Sequence, residues 1–344
     1  MNNPQPKVTI SLVTFNNEKY IPYVLSSIAA QSFKDWELII LDNNSADETV
    51  KAIHEEALPY KLLEQRHNLG FGRGHNSIIN WSAGEYILIL NADVILEPNY
   101  LQLCIAYMDQ HPEVATLSGK LLSWDFQRQE KTNIIDSCGL NIDRRYHVSN
   151  RLQGHVDSSK IQSAQVFGHS ATAMLVRRSA LQHTALPKFV GSGLEYFDED
   201  FLAYKEDADL AWRLRLAGWE HYCLVTAVGY HHRAASSRRS SFKDRKNRNS
   251  INMLSYRNHL CMLKKNSFSS VSARNFLAIL FYELEKFIYL SFLDQSSFTG
   301  LRQYFKLRAR MSKKRKLIKK MTTIPAKDFQ VWLDMNDDRV VKAE

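Results

Sequence analysis

The sequence predicts an α/β fold: a mostly parallel central sheet flanked by helices, with a helical, basic extension at the C-terminal end. Three observations carry that prediction. Through the first hundred residues, short β-branched and apolar runs alternate with amphipathic segments at the spacing of βαβ units. One run, EYILILNADVILE at 85–97, is apolar without interruption over 86–90 between Gly84 and Pro98, which suits a strand buried on both faces. The formal net charge of +9 over 344 residues is uneven, with most of the excess beyond residue 237.

Residues 7–14 (KVTISLVT) are β-branched and apolar, a buried strand. Helical periodicity follows over 20–30, with Pro22 in the first turn. Residues 36–41 (WELIIL) make a second strand that stops at Asp42-Asn43-Asn44-Ser45, and Asp47 and Glu48 open a helix running through Ile53. A weaker strand at 61–64 leads into the loop Gly70-Phe71-Gly72-Arg73-Gly74 and a helix ending near Ser82. After the 85–97 stretch come a helix at 99–109 and a strand at 113–122. The pattern weakens over 123–165, where a substrate-specific excursion would sit. Strand character returns at 166–176. A helix then carries Leu210, Leu214 and Ala217 on one face before the C-cap Gly218, and residues 223–230 (CLVTAVGY) form the last strand, ending at His231-His232.

Several residues on this frame carry chemistry. Asp93 is delivered at the C-terminal end of a strand, where ligands bind in open α/β sheets. A carboxylate between two hydrophobic runs either caps the following turn or holds a partner such as a metal ion, and the stretch alone leaves both readings open. The loop at 70–74 lacks GxGxxG spacing and follows the third strand, which argues against a dinucleotide fingerprint. Asn68 and Asn76 flank it, as in a polar loop that approaches a ligand by its backbone. Seven acidic residues lie between Glu195 and Asp209, crossed by Tyr and Phe. Helix N-terminal enrichment accounts for Glu206, Asp207 and Asp209, but the density points to carboxylates set near an apolar wall to raise a pKa for base chemistry. A lone histidine at a strand end is usually structural; His231 is read as completing the site that Asp93 needs.

The set Thr14-Phe15-Asn16, Asp42-Asn43-Asn44-Ser45, Asn68-Leu69-Gly70-Phe71-Gly72, Asn91-Ala92-Asp93, Glu206-Asp207-Ala208-Asp209-Leu210 and His231 resembles, in order and over roughly residues 7–265, the family 2 glycosyltransferases. It is most similar to their bacterial rhamnosyltransferase-type branch. The resemblance implies a GT-A fold and an enzyme that inverts the anomeric centre of a nucleotide-activated sugar, dTDP- or UDP-linked, with dTDP-L-rhamnose the donor it points to. By the same likeness Thr14, Phe15 and Asn16 line the nucleotide pocket, and Asp42 accepts a hydrogen bond from the base. Asn44, Asn68, Gly70 and Gly74 lie near the nucleotide and its ribose. Asn91-Ala92-Asp93 matches the DxD-type motif in the variant whose first position is Asn, so Asn91 contacts the nucleotide or a metal-bound water and Asp93 coordinates Mg2+ or Mn2+. Asp207 matches the catalytic base. His231, followed by Ala234 and Ser236, matches a histidine that ligates the metal or the pyrophosphate, with His232 the runner-up. Glu206, Asp209, Gly168 and Thr172 are assigned to the acceptor. The implied organisation is a GT-A domain over 1–265, its nucleotide half at 1–100 and acceptor half at 101–265, and an extension over 266–344.

The extension carries a different signal. Residues 238–248 hold six basic side chains against one Asp, and 301–321 hold ten Lys or Arg and no acid. Residues 273–293 are strongly apolar but interrupted by Glu283, Glu285 and Lys286, too charged at the centre for a spanning helix. They read as an amphipathic helix on a membrane surface or against a partner. An anionic membrane surface contacted through 273–321 is the expected partner; a basic helix in a homodimer interface is the alternative. Deleting residues 270–344 is expected to release the chain from membranes while leaving the nucleotide site folded. A nucleic-acid partner is set aside, because groove-reading helices and aromatic-interleaved platforms are lacking. The four scattered cysteines, Cys104, Cys138, Cys223 and Cys261, imply reduced thiols. The start MNNPQPKVTI lacks the basic and apolar regions of a signal peptide. The expected location is cytoplasmic, peripheral to the inner face of the cell membrane, and the expected acceptor is a glycan or a polyprenyl-pyrophosphate-linked glycan.

Overall fold

The computed structural model describes residues 5–233, 242–293 and 296–335; Ala234, Ser236 and the start of the basic stretch at Arg238 lie outside them. The chain opens as β1 (Val8–Thr14), α1 (Ile21–Ala29), β2 (Trp36–Asp42), α2 (Thr49–His54), β3 (Lys61–Glu64), α3 (Phe71–Trp81) and β4 (Tyr86–Asn91). Then follow β5 (Val94–Leu96), α4 (Tyr100–Gln110), the long hairpin β6 (Val114–Asp125) and β7 (Glu130–Ser137), a small hairpin β8 (Leu140–Ile142) and β9 (Val148–Asn150), and β10 (Ala164–Gln165). β11 (Ala173–Arg177), α5 (Arg178–His183), the ribbon β12 (Leu186–Pro187) and β13 (Leu194–Glu195), α6 (Glu206–Leu216) and β14 (Glu220–His231) complete the sheet layer. Five helices end the chain: α7 (Phe242–Asn266), α8 (Ser269–Arg274), α9 (Phe276–Leu293), α10 (Ser296–Met321) and α11 (Ala326–Asp334).

The main sheet runs β3-β2-β1-β4-β11-β6-β14-β10. Its first four strands are parallel. β11 then enters antiparallel to both β4 and β6, and β6 and β14 are parallel to each other. The sheet is therefore mixed: the βαβ half is parallel, as the alternation of runs requires, and the second half is assembled by hairpins and a reversed strand. β1 lies inside the sheet with Val8, Ile10 and Leu12 fully buried on one face and Thr9 and Ser11 on the other, so both faces are covered by helices. α1 and α4 pack on one face with Ile21, Val24, Leu25, Leu101 and Ile105. α5 and α6 pack on the other with Leu181, Leu210 and Leu214.

Two features of this topology place the site. β5 pairs antiparallel with the end of β14, Val94 opposite His231, which sets Asp93 against the histidine pair. The region predicted as one strand at 166–176 is extended only from Ala173; before it the chain turns, and Leu140 donates its amide to Gly168 O.

The helices after residue 266 share a core with the sheet domain. Trp212 of α6 stacks on Phe329 of α11 at 5.2 Å, and Met311, Ile318 and Leu333 join Ala208, Ala211 and Leu216 in one buried cluster. A boundary at residue 265 would cut through that cluster. It also explains why α6 is buried nearly all round, with the sheet on one side and the terminal helices on the other.

Candidate active site

At the C-terminal ends of β1, β2 and β4 lies a cavity of about 520 Å3 lined by Thr14, Phe15, Asn68, Gly70, Asn91 and Asp93 from the predicted set. Asn17, Asn43, Phe71, Leu202 and Ala203 complete it. Gly70 is required there: its φ is +83°, and a Cβ would sit 2.5 Å from Leu202 O. Asn43 ties the loops together, accepting from the Leu69 amide at 3.1 Å and donating to Gly70 O at 3.4 Å.

Four predicted residues fall outside this lining. Asp42 is 3% exposed, and its two oxygens accept from Thr14 Oγ1 (2.9 Å), the Ser45 amide (2.9 Å) and Ser45 Oγ (2.5 Å), so it braces the loop under the cavity. Asn16, at φ +54°, takes the Ala46 amide on its Oδ1 and staples the first loop to the second. Asn44 turns outward at φ +63°. Gly74 allows α3 to lie close on β1, since a Cβ would stand 3.1 Å from both Val13 methyls.

A second cavity of about 490 Å3 opens on the other side of β4 and is lined by Thr172, Tyr204, Lys205, Glu206, Asp207, His231 and Arg233. Asp207 Oδ1 accepts the Ala208 amide at 2.7 Å. Burial raises its pKa, a lift that this hydrogen bond and the Lys205 charge oppose. Glu206 is pushed up to about 8, first by burial and then by the Asp207 charge, and its Oε2 is buried without a hydrogen-bond partner. The two side chains thus bring a carboxylate able to take a proton and an acid that stays protonated near neutrality.

Asp209 and Gly168 do not reach this cavity. Asp209 is fully buried and engaged by Arg213 (3.1 Å), Lys265 (2.8 Å) and Asn266 (2.8 Å). A Cβ on Gly168 would fall 2.2 Å from Ala211 Cβ, so the glycine serves helix packing. The acidic density at 195–209 has the same origin. Glu195, Asp198 and Asp200 surround buried Lys314, Lys265 also reaches Asp198, and Glu199 pairs with Lys188. Only Glu206 and Asp207 of the seven line the cavity.

The two cavities meet at one contact. Asp93 Oδ1 lies 3.4 Å from His231 Nε2, and His231 Nδ1 lies 2.9 Å from Asp136 Oδ2. Asp136 is 2% exposed and also holds Arg233. Burial alone would lower the His231 pKa, but Asp136 and Asp93 outweigh it and bring it to about 9. His232 points elsewhere, into the ring cluster of Tyr20, Trp124 and Phe126. Among the described residues no group of three or more His, Cys, Asp and Glu could hold a metal ion. Asp93 and His231 are a two-donor edge, which fits a hard cation whose remaining ligands are diphosphate oxygens and water.

The approach to both cavities is the segment before α6. Leu202, Tyr204 and Lys205 all have positive φ, at 63°, 70° and 72°. The Asn258 amide group donates to Phe201 O, Ala203 O and Tyr204 O at 2.7–2.9 Å, and Arg257 donates to Asp200 O and Phe201 O. Asp136 and Asn258 went unassigned in the sequence. Asp136 had no motif around it, and Asn258 acts on backbone carbonyls more than fifty residues upstream.

Residues 9–184 match the glycosyl transferase family 2 model. Three curated relatives are 25–31% identical over the matched stretch, and the chain spans less than half the length of each. Another, the UDP-Glc:alpha-D-GlcNAc-diphosphoundecaprenol beta-1,3-glucosyltransferase WfgD of Escherichia coli, is 29% identical over 102 residues, 29% of this chain and 40% of its own. Among solved structures, Staphylococcus aureus TarS 1-349 superposes with a TM-score of 0.55 at 16% identity, covering 98% of this chain and 92% of that one. The Pyrobaculum calidifontis mannosyltransferase PcManGT, solved with GDP-Man and Mn2+, gives 0.50 at 16% identity over 98% and 85%. These structural likenesses show the GT-A fold, C-terminal helices included. With the family model matched over more than half of the 344 residues, the chain belongs to glycosyl transferase family 2.

Proposed function

We propose that this protein transfers a sugar from a nucleoside diphosphate donor to a hydroxyl of a glycan acceptor, with inversion at the anomeric carbon. The observation that carries the reading is the 3.4 Å contact between Asp93, which lines one cavity, and His231, which lines the other together with Asp207. Donor and acceptor brought into those cavities meet at that contact, with a carboxylate on the acceptor side.

The cavity at the strand ends takes the nucleotide, with Phe15 and Phe71 as apolar walls and Asn43, Asn68 and Asn91 as polar contacts. In the transfer step the Asp207 carboxylate accepts the acceptor's hydroxyl proton as the new bond to the anomeric carbon forms. The bond from that carbon to the diphosphate oxygen breaks, and the nucleoside diphosphate leaves with the electron pair. Protonated Glu206 donates a hydrogen bond to the acceptor and keeps Asp207 the single negative charge in the pocket. Asp93 and His231 would hold Mg2+ or Mn2+. Such an ion, when bound, neutralises the charge that develops on the diphosphate. PcManGT was solved with Mn2+, which supports this choice.

The donor is a nucleoside diphosphate sugar, with dTDP-L-rhamnose the candidate the branch likeness favours. A polyprenyl-pyrophosphate-linked oligosaccharide is the acceptor class that WfgD's similarity supports. Turnover of a panel of nucleotide sugars, with the wild type, Asp207→Asn and Asp93→Ala, tests the assignment. Loss of Asp207 should lower kcat by about 10²–10⁴ while leaving nucleotide affinity in place. Near-native turnover in both variants would sink it.

A further inference from the structure

Helix α9 is amphipathic in the reverse of the ordinary sense. Its charged side chains Glu283 and Lys286 face the protein. Glu283 takes His259 Nε2 at 3.0 Å and the Tyr256 hydroxyl at 3.2 Å, and Lys286 lies over the Tyr282 ring at 4.5 Å. Tyr282 itself is buried. The apolar side chains Leu277, Leu280, Phe281, Leu284, Phe287 and Ile288 face outward and are 47–67% exposed. At about 100° per residue these six span an arc of about 120° and run about 17 Å along the helix. Glu285, the helix's second acid, is exposed at the edge of that arc.

The stripe continues onto α10. Phe287 meets Phe298 with ring centroids 6.0 Å apart. On the helical face that carries Phe298 and the 58% exposed Phe305 stand Arg302, Lys306, Lys313, Lys316 and Lys320, all exposed. The inward face of α10 carries Lys314, buried among carboxylates. The surface is thus an apolar patch bordered by a row of five cations, and residues 301–321 contain no acid to neutralise it.

We infer that the outward faces of α9 and α10 rest on an anionic lipid bilayer, α9 sunk to the headgroup boundary and the cationic row of α10 on the phosphates. An exposed patch of this kind marks an interaction surface, and the row of like charges selects the partner. A second copy joined across a two-fold axis would bring cations against cations, whereas anionic headgroups complement them. Spanning is excluded for the described helices, none of which is long and apolar enough to cross a membrane. The placement also serves the site. His147 lines the acceptor-side cavity and its ring meets Tyr282 on the inward face of α9 at 5.9 Å. One helix thickness, about 10 Å, therefore separates that cavity from the bilayer face. This last link rests on the proposed lipid-linked acceptor; the membrane contact itself does not.

Co-sedimentation of the full chain with vesicles of phosphatidylcholine, alone or mixed with phosphatidylglycerol, tests the inference without any substrate. The wild type should bind the mixed vesicles and lose binding as salt is raised. Lys313→Gln/Lys316→Gln/Lys320→Gln should reduce partitioning on the order of a hundredfold, and Leu280→Glu/Phe281→Glu should abolish it. Melting temperature and nucleotide binding should not move in either variant, because the altered side chains are exposed. Absence of binding to the mixed vesicles, or binding that both variants retain, overturns the proposal. So does a dimer by light scattering that Leu280→Glu/Phe281→Glu converts to monomer. Vesicle binding with failed sugar transfer would instead count against the transfer assignment alone.

Discussion

Asp136 holds His231 in one orientation. The hydrogen bond at Nδ1 leaves Nε2 facing Asp93, the arrangement in which a carboxylate fixes the tautomer of a metal-binding imidazole. If Asp93 and His231 hold the ion as proposed, Asp136→Ala should weaken Mn2+ binding in the presence of a nucleoside diphosphate by about 10–100-fold. Electron paramagnetic resonance of free Mn2+ reads that directly, and an affinity equal to wild type would remove Asp136 from the site. The residue was invisible in the sequence because nothing near it in the chain signals its role. It comes from the 123–165 excursion, and only the β6–β7 hairpin, with Leu122 opposite Ile135, carries it to the end of β14. Asp93, by contrast, was legible as a strand-end carboxylate, since its position follows from the apolar runs on either side. Asp209 misled for a related reason: its partners Lys265 and Asn266 lie more than fifty residues downstream, so a neutralised structural acid looked like a pocket acid.

The elements divide in the same way. β1 to β4 and their helices were readable because strand and helix periods dominate a parallel half whose pieces contact their sequence neighbours. β8 to β10 and the β12–β13 ribbon are two or three residues long, too short for any period to register, and pairings across the fold define them. The segment before α6 depends on α7 in this long-range fashion. The positive-φ residues Leu202, Tyr204 and Lys205 each cost on the order of 1–3 kcal/mol unless their surroundings hold them, and the Asn258 side chain binds the carbonyls of Phe201, Ala203 and Tyr204 in that segment. Asn258→Ala should therefore loosen the wall of both cavities. Expected are a loss of about 1–3 kcal/mol in stability and weaker nucleoside diphosphate binding, because Leu202 lines the cavity proposed for the donor. Calorimetry on the variant settles it: unchanged nucleotide affinity would mean the segment keeps its shape without the clamp.

At the scale of the whole molecule, the terminal helices are part of the protein's structure as well as of its surface. Lys314 reaches Glu195 (2.6 Å), Asp198 (2.5 Å) and Asp200 (3.0 Å) at 1% side-chain exposure, and Lys265 reaches Asp198 and Asp209 with none. The Lys314 and Lys265 charges hold the Asp198 carboxyl well below the usual carboxylate range against the opposing effect of burial. Removing one partner from such a network leaves charge buried without compensation, at a cost of about 3–5 kcal/mol. The expectation that residues 270–344 could be deleted with the rest intact gives way here, since the deletion would take the cations from Glu195 and Asp200, leave Asp198 with Lys265 alone, and expose Trp212 and its neighbours. The point substitution isolates the electrostatic part. Lys314→Met should lower the urea midpoint by the equivalent of that cost, while Lys316→Met, on the opposite and exposed face of α10, should stay within about 0.5 kcal/mol of wild type. Adding Glu195→Gln to Lys314→Met should restore part of the loss, because Lys314 is the cation that pairs with Glu195 and the first change leaves that carboxylate without it. Equal midpoints for the two single variants would mean that α10 docks through its apolar side chains alone.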